Sequence, residues 1–381
     1  MKLKFCQRKK GIAIIIVMVS IFALAVLAGA FAYSMKVETR LAGNSIYDTQ
    51  LQWAGRSGVD YARWVLSMEL TSPGPGQRYD SLDEAWAGGS AETNDVLSSV
   101  KHSDIVLAPG VSIKKWSIED TERKFNVNMA LSQPEVLQKA LMLAGADVTQ
   151  IQTITASIQD WIDPNAANRA GGAQSDYYQA LDPPYSAKNG PIDELSELLL
   201  IKGIRDAPEL YWGGDVTNHT SPLLQKEVVT RSGLQSAADL PPATLLDLLT
   251  PISTGAINIL TATTNQLQLL PGVDYTIANE IVQLRGEVGA DGFLSYGRPA
   301  DLLVNTSLGN QGAQQVANYC TFRSSTFEIT VVVQVGMSVR TYYALVRRNS
   351  PRDIPVLNLR WEEGDHSRIT GQQDTDLTAA Q

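Results

Sequence analysis

The residues best suited to chemistry gather in one stretch of the chain. Asp160-Trp161-Ile162-Asp163-Pro164-Asn165 is followed ten residues on by Ser175-Asp176. Asp160, Asp163, Asn165 and Asp176 offer hard oxygen ligands, the kind that suit calcium. The stretch has no EF-hand pattern, and Asp163-Pro164-Asn165 reads also as the cap of a helix end and the start of a turn. No reaction centre stands elsewhere. There is no Gly-x-Ser-x-Gly elbow, no His-Glu-x-x-His and no phosphate loop. His102, His219 and His366 are scattered, with no zinc spacing. Asp193 and Glu194 suit the first turn of a helix, where negative charge is favoured. The chain is therefore read as a non-enzyme.

A second chemical feature is a bond to be cut. Lys2, Lys4, Arg8, Lys9 and Lys10 precede Gly11, and Ile12 to Tyr33 follow without a charge. A helix of roughly 20 apolar residues crosses a bilayer. The basic block keeps the short N-terminal end in the cytoplasm and sends the rest outward. A secretory signal peptide is cut at the far end of a shorter apolar core. Here the processing point, between Gly11 and Ile12, lies before the run, so the helix stays on the mature protein. The arrangement resembles the class III leader of type IV pilins and type II secretion pseudopilins, cut after the glycine by a prepilin peptidase. In those proteins the fifth mature residue is usually a glutamate, paired with the N-terminal amine of a neighbouring subunit. Here it is Ile16. A carboxylate in the bilayer needs a partner, and a subunit at a filament tip has none ahead of it. The missing acid fits a tip position, and equally an ordinary single-pass anchor.

The chain has 381 residues, 19% charged and 44% hydrophobic, an ordinary globular balance. Loss of the five leader cations takes the formal net charge from −9 to −14. So acidic a body repels phosphate backbones, which speaks against nucleic-acid binding. Cys6 falls in the leader and Cys320 is left alone, so no internal disulfide forms after cleavage.

These features need elements to position them. Val37, Leu41, Leu51, Ala54, Gly58, Ala62, Val65 and Leu66 recur at helical steps, and Pro73-Gly74-Pro75-Gly76 ends the pattern. The membrane helix is thus expected to continue as an amphipathic spine to about Leu70. Strands are expected at Ile105–Leu107, Val111–Ile118, Phe327–Val335 and Arg340–Val346, the last two as a hairpin around Gly336. These make one antiparallel sheet against the spine, with everything from about Met129 to Cys320 inserted between strands. Inside it, Pro134–Leu143, Val148–Ile162, Asp193–Ile201 and Ala243–Leu249 read as helices. The expected fold is α+β. Leader 1–11 and spine 12–70 precede a first pilin-like part, 71–128. A helical insertion, 129–322, a C-terminal hairpin, 323–362, and a disordered tail, 363–381, follow.

One string of motifs narrows the family. The Asp160–Asn165 stretch leads to Gly171-Gly172-Ala173-Gln174 and Tyr177-Tyr178. Pro183-Pro184-Tyr185, Asn189-Gly190-Pro191 and Glu194-Leu195-Ser196-Glu197-Leu198-Leu199 come next. Phe125-Asn126-Val127-Asn128 and Gly255-Ala256-Ile257-Asn258-Ile259 mark two short strand-like pieces. Their order closely resembles type II secretion system protein K, the large minor pseudopilin, over nearly the whole mature chain. Gln174 stands where that family has an acid. The resemblance implies calcium stabilising the insertion. It also implies a tip complex with other minor pseudopilins, which caps a pseudopilus that exports folded proteins from the periplasm. The partners would be those pseudopilins, the prepilin peptidase and the inner-membrane assembly platform, with the bulk of the chain periplasmic.

Two segments look like helix-hairpin-helix units: Leu195–Tyr211, and Leu267–Leu303 with its turn at Gly272-Val273. The glycine allows the sharp turn and the valine plugs the core. Asp274 stands where DNA-binding versions carry a second glycine, and would repel a phosphate. The hairpin is read as scaffold. The rival readings are a membrane-anchored DNA receptor, a membrane-tethered enzyme and a type IV pilus minor subunit.

Overall fold

The computed structural model describes residues 12–71, 78–89, 96–165, 169–213, 243–287 and 294–364. The leader through Gly11, the Pro73–Gly76 terminator and most of the expected tail lie outside the described residues.

Helix α1, Ile12–Thr71, runs for 60 residues without a break, about 90 Å at 1.5 Å per residue. Its first half, Ile14–Thr39, is long and apolar enough to cross a membrane, and touches nothing else in the chain. The second half lays Leu51, Ala54, Ala62, Val65 and Leu66 on a sheet. Two glycines set how closely. A Cβ on Gly55 would lie 2.4 Å from the Tyr342 ring, and one on Gly58 2.4 Å from Val331 Cγ1.

The sheet has five antiparallel strands in the order β1-β2-β7-β8-β9. These are β1 (Ser103–Ala108), β2 (Val111–Asp120), β7 (Thr326–Val335), β8 (Ser338–Arg347) and β9 (Val356–Glu363). Side chains alternate across a pleated strand. Ile113, Trp116 and Ile118 of β2, Phe327, Ile329, Val331 and Val333 of β7, and Tyr342, Ala344 and Val346 of β8 therefore share the face that packs on α1. A register shift between Ile113 and Lys115 keeps β2 in phase. Strand β9 was not expected. It pairs Trp361 with Tyr342 and Leu359 with Ala344, and it carries Glu363 into regular structure where a disordered tail was expected.

The sheet has a polarity along the spine. Arg340 pairs with Asp48 at 2.8 Å, near the membrane half of α1. At the other end Trp86 N–H donates to Glu69, and the Trp86 and Phe327 rings meet edge to face at 5.4 Å. Phe327 opposes Asp120 in the ladder. The chain thus leaves the sheet after Asp120 and re-enters at Thr326, both at the membrane-distal end of the spine.

What lies between has its own core. Two two-stranded parallel ladders hold its base: β3 (Phe125–Asn126) with β4 (Leu249–Thr250), and β5 (Ile257–Asn258) with β6 (Cys320–Thr321). Around them stand α2 (Pro134–Leu143), α3 (Val148–Ile162), α4 (Ser175–Gln179), α5 (Glu209–Trp212) and α6 (Leu245–Leu248). They are followed by α7 (Thr264–Leu267), α8 (Tyr275–Leu284), α9 (Pro299–Leu303) and α10 (Gly309–Ala317). Leu137, Leu141, Ile154, Ile158, Leu198, Leu248, Leu267 and Ile281 form one cluster, distinct from the cluster under the sheet. Expected helix Asp193–Ile201 is instead a 3-10 segment, Leu195–Leu200, closed by a capping box between Glu194 and Glu197. Expected helix Ala243–Leu249 shortens to the four residues of α6, because Leu249 and Thr250 pair with β3.

Candidate functional site

The inserted domain and its seam with the sheet are where this chain departs from a plain helix-and-sheet subunit. The seam is polar and buried. Asp120, at the end of β2, accepts hydrogen bonds from Thr261 Oγ1 and Ser324 Oγ, both at 2.6 Å, and from Glu122 N at 2.8 Å. Asn258 Nδ2 lies 3.2 Å from the same carboxylate and 3.0 Å from the carbonyl of Asp80. Glu122 accepts from Ser325 Oγ at 2.6 Å and from Thr254. Asp80 pairs with Arg348, accepts from Ser324 N at 2.8 Å and has Arg323 nearby. Buried carboxylates are costly unless paired or hydrogen-bonded. Here the partners come from both units, so the same contacts fix the insertion on the end of the sheet. Burial pushes the Asp120 carboxyl up to about 6, against its hydroxyl partners. Glu84 goes further, to about 9, through burial and then the charges of Asp80 and Glu69. Apart from Asn258, which stands in the Gly255–Ile259 motif, none of these residues carries a sequence signal. Asp120 and Glu122 only follow a strand, and their side-chain partners lie over a hundred residues away.

The acid-rich stretch ends α3. Asp160 is fully buried and Asp163 caps the helix. Arg169 bridges them, Nη1 to Asp160 Oδ1 at 2.9 Å and Nη2 to Asp163 Oδ2 at 2.7 Å. The Arg169 guanidinium also holds the Asp163 carboxyl below the usual carboxylate range. Asn165 gives its backbone N–H to Asp163 Oδ1, while its side chain, like that of Asp176, lies on the exposed surface. The four expected ligands are therefore not gathered around one point. Among the described residues no three acids, histidines or cysteines converge on a metal position, and this arrangement does not fit a calcium ion. The aromatic members of the same motif are core. Trp161 meets Tyr178 edge to face at 5.3 Å, and Tyr185 stacks on Tyr178.

At the hairpin turn Gly272 has φ +75° and Val273 is buried among the helices, as the turn requires. Lys139 of α2 reaches across and donates to the carbonyls of Leu270 at 2.7 Å and Val273 at 2.9 Å. Asp274 caps α8 by accepting from Ile277 N. The turn's polar groups are thus engaged inside the domain. Ile12 opens α1, and Gly11, the other residue of the expected processing point, lies outside the described residues.

Comparison with known proteins agrees with this architecture. Residues 123–210 match the first-domain family model of type II secretion system protein K. The type II secretion system protein K of Klebsiella pneumoniae is 23% identical over 52% of this chain and 59% of its own length. That of Pectobacterium carotovorum subsp. carotovorum is 34% identical over 23% of this chain and 30% of its own. A chain in the crystal structure of the GspK-GspI-GspJ complex from the enterotoxigenic Escherichia coli system superposes with a TM-score of 0.57 at 18% identity. That match covers 86% of this chain and 99% of that one. A long apolar helix that becomes the spine of an antiparallel sheet, with a helical domain set between two strands, is the fold this chain shares with that one. The match to the type II secretion system protein K family model falls in the motif-bearing insertion, over residues 123–210.

Proposed function

We propose that this protein caps the tip of the type II secretion pseudopilus and starts its assembly with other minor pseudopilins, for export of folded proteins from the periplasm. The carrying observation is the place of the insertion. It leaves and rejoins the sheet beside Glu69 and Phe327, at the membrane-distal end of the spine. A subunit stacked ahead would have to occupy that space. The buried seam at Asp120, Glu122 and Arg348 keeps the block from swinging aside. Ile16 in place of an acid supports the same reading, since a terminal subunit has no amine ahead of it to neutralise.

In this reading a prepilin peptidase cuts between Gly11 and Ile12. The helix then anchors the chain in the inner membrane, the bulk lies in the periplasm, and the assembly platform draws the tip complex outward. The crystallised relative sits in a complex with GspI and GspJ, so the equivalents of those two are the partners proposed here. Co-expression of the full chain with the host's other minor pseudopilins, followed by size-exclusion chromatography in detergent, tests it. A discrete heteromeric peak is expected. Elution of this chain alone in the presence of all of them overturns the reading.

A further inference from the structure

We infer that Arg169 occupies a cation seat at the end of α3, so that the insertion is held by a guanidinium of its own chain rather than by a divalent metal. Calcium takes six to eight oxygen ligands at about 2.3–2.6 Å. The oxygens offered here are already engaged by N–H donors. Asp160 Oδ1 receives Arg169 Nη1 at 2.9 Å, and both its oxygens lie 3.2–3.3 Å from the Arg169 backbone N–H. Asp163 Oδ2 receives Nη2 at 2.7 Å, and its Oδ1 receives Asn165 N at 2.9 Å.

The space is also closed. A Cβ on Gly172 would lie 2.0 Å from Asp160 Oδ2, so the returning loop packs its backbone directly on the carboxylate. Charge balances without a metal. Lys202 Nζ donates to the carbonyls of Gly171 at 3.2 Å and Gly172 at 3.3 Å, clasping the same loop from outside. The two carboxylates thus face one guanidinium, and Lys202 adds a second cation at the backbone of the adjoining loop. Gln174 fits this balance. Its amide donates to the Asp160 carbonyl at 3.4 Å, where a carboxylate would add a third negative charge. A guanidinium is planar and forked, suited to bridging two carboxylates one helical turn apart.

The test is thermal unfolding of the full chain in detergent, in excess EGTA and in millimolar calcium chloride. The wild-type midpoint is expected to be the same in both. A midpoint that falls in EGTA overturns the inference, and needs no variant. Arg169→Ala should unfold about 4–8 °C lower in EGTA and regain most of that loss in calcium chloride, because the two freed carboxylates then reopen the seat. Arg169→Lys, which keeps the charge and loses the fork, should fall between them without calcium. An alanine variant as stable as wild type overturns the proposal. So does one that is destabilised and indifferent to calcium, which would reduce Arg169 to an ordinary ion pair.

Discussion

Glu84→Gln should stabilise this protein in alkali and leave it nearly unchanged in mild acid. Glu84 is 3% exposed and sits where the turn after the spine packs back on Trp86. Its Oε2 accepts from the Trp86 indole at 2.7 Å and from Ser81 N at 3.1 Å, while Oε1 has no partner. Burial, then the charges of Asp80 and Glu69, raise its pKa from 4.5 to about 9. The folded protein therefore holds this proton through neutral pH, while the unfolded chain releases it above its ordinary pKa. Between those two values the folded state binds more protons, so stability falls as pH rises. The loss is about 1.4 kcal/mol per pH unit, or about 2.7 kcal/mol from about pH 6.5 to about pH 8.5. Asp120 acts in the same direction, from 3.8 to about 6, so its window closes below that range. Glutamine mimics the protonated acid. Its carbonyl keeps both donors, and its amide puts N–H groups where Oε1 stands alone beside two acids. Hydrogen exchange of the Trp86 amide reads the local opening free energy without assuming a two-state global transition. The gap between variant and wild type should widen by about 2–3 kcal/mol between the two pH values. A gap of equal size at both would mean that Glu84 is already ionised in the folded protein, and the reasoning would fail.

Two further outcomes check the packing. Gly58→Leu drives a side chain into Val331, where even a Cβ would stand 2.4 Å from Cγ1. It should cost about 1–3 kcal/mol or more by overpacking, seen as a lower thermal midpoint and faster proteolysis at the spine–sheet contact. Gly29→Leu, with nothing within 4 Å in the apolar span, should cost neither. Arg348→Met strands the buried Asp80 carboxylate and should lose about 3–5 kcal/mol. In a double-mutant cycle, Asp80→Leu should restore part of that loss, and strictly additive losses would show that the two charges do not depend on each other.

The spine and four strands were legible because each carries a period that burial enforces. Leu51, Ala54, Ala62 and Val65 must face one sheet, and Phe327, Ile329, Val331 and Val333 must face one helix. Strand β9 had no such demand. All eight of its residues are exposed, so Arg360, Glu362 and Glu363 are tolerated beside Leu359 and Trp361, as on other sheet edges. The alternation Leu357-Leu359-Trp361 was the available signal, and the charges masked it. Arg340, lying 3.8 Å from the Trp361 ring, ties that edge to the sheet. The short helices failed as periods for a different reason. Around Leu249 and Leu195, two- to six-residue pieces are fixed by ladders and caps, which ask nothing of the 3.6-residue repeat.

The acid-rich stretch shows the deeper limit of spacing. Asp160 and Asp163 are one helical turn apart, so their convergence could be read directly. Which cation they meet could not, because that depends on Arg169 standing beside the end of α3. The same holds at the seam, where Asp120 draws donors from Asn258, Thr261 and Ser324. Polar groups that settle how two units are joined are partnered across long sequence distances, and single residues of common types give no period. A capping role puts its demand on those joints. A block that swung on the end of the spine would not exclude a further subunit, so the hydroxyls and amides that satisfy Asp120 and Glu122 serve the proposed function as directly as the bulk they anchor. Weakening them with Thr261→Val should leave both cores folded and loosen only the joint. Exchange should then rise at Asp120–Glu122 and at Asn258–Thr261, while the amides of α3 stay protected. Equal loosening throughout α3 would mean that the seam is not a separate joint.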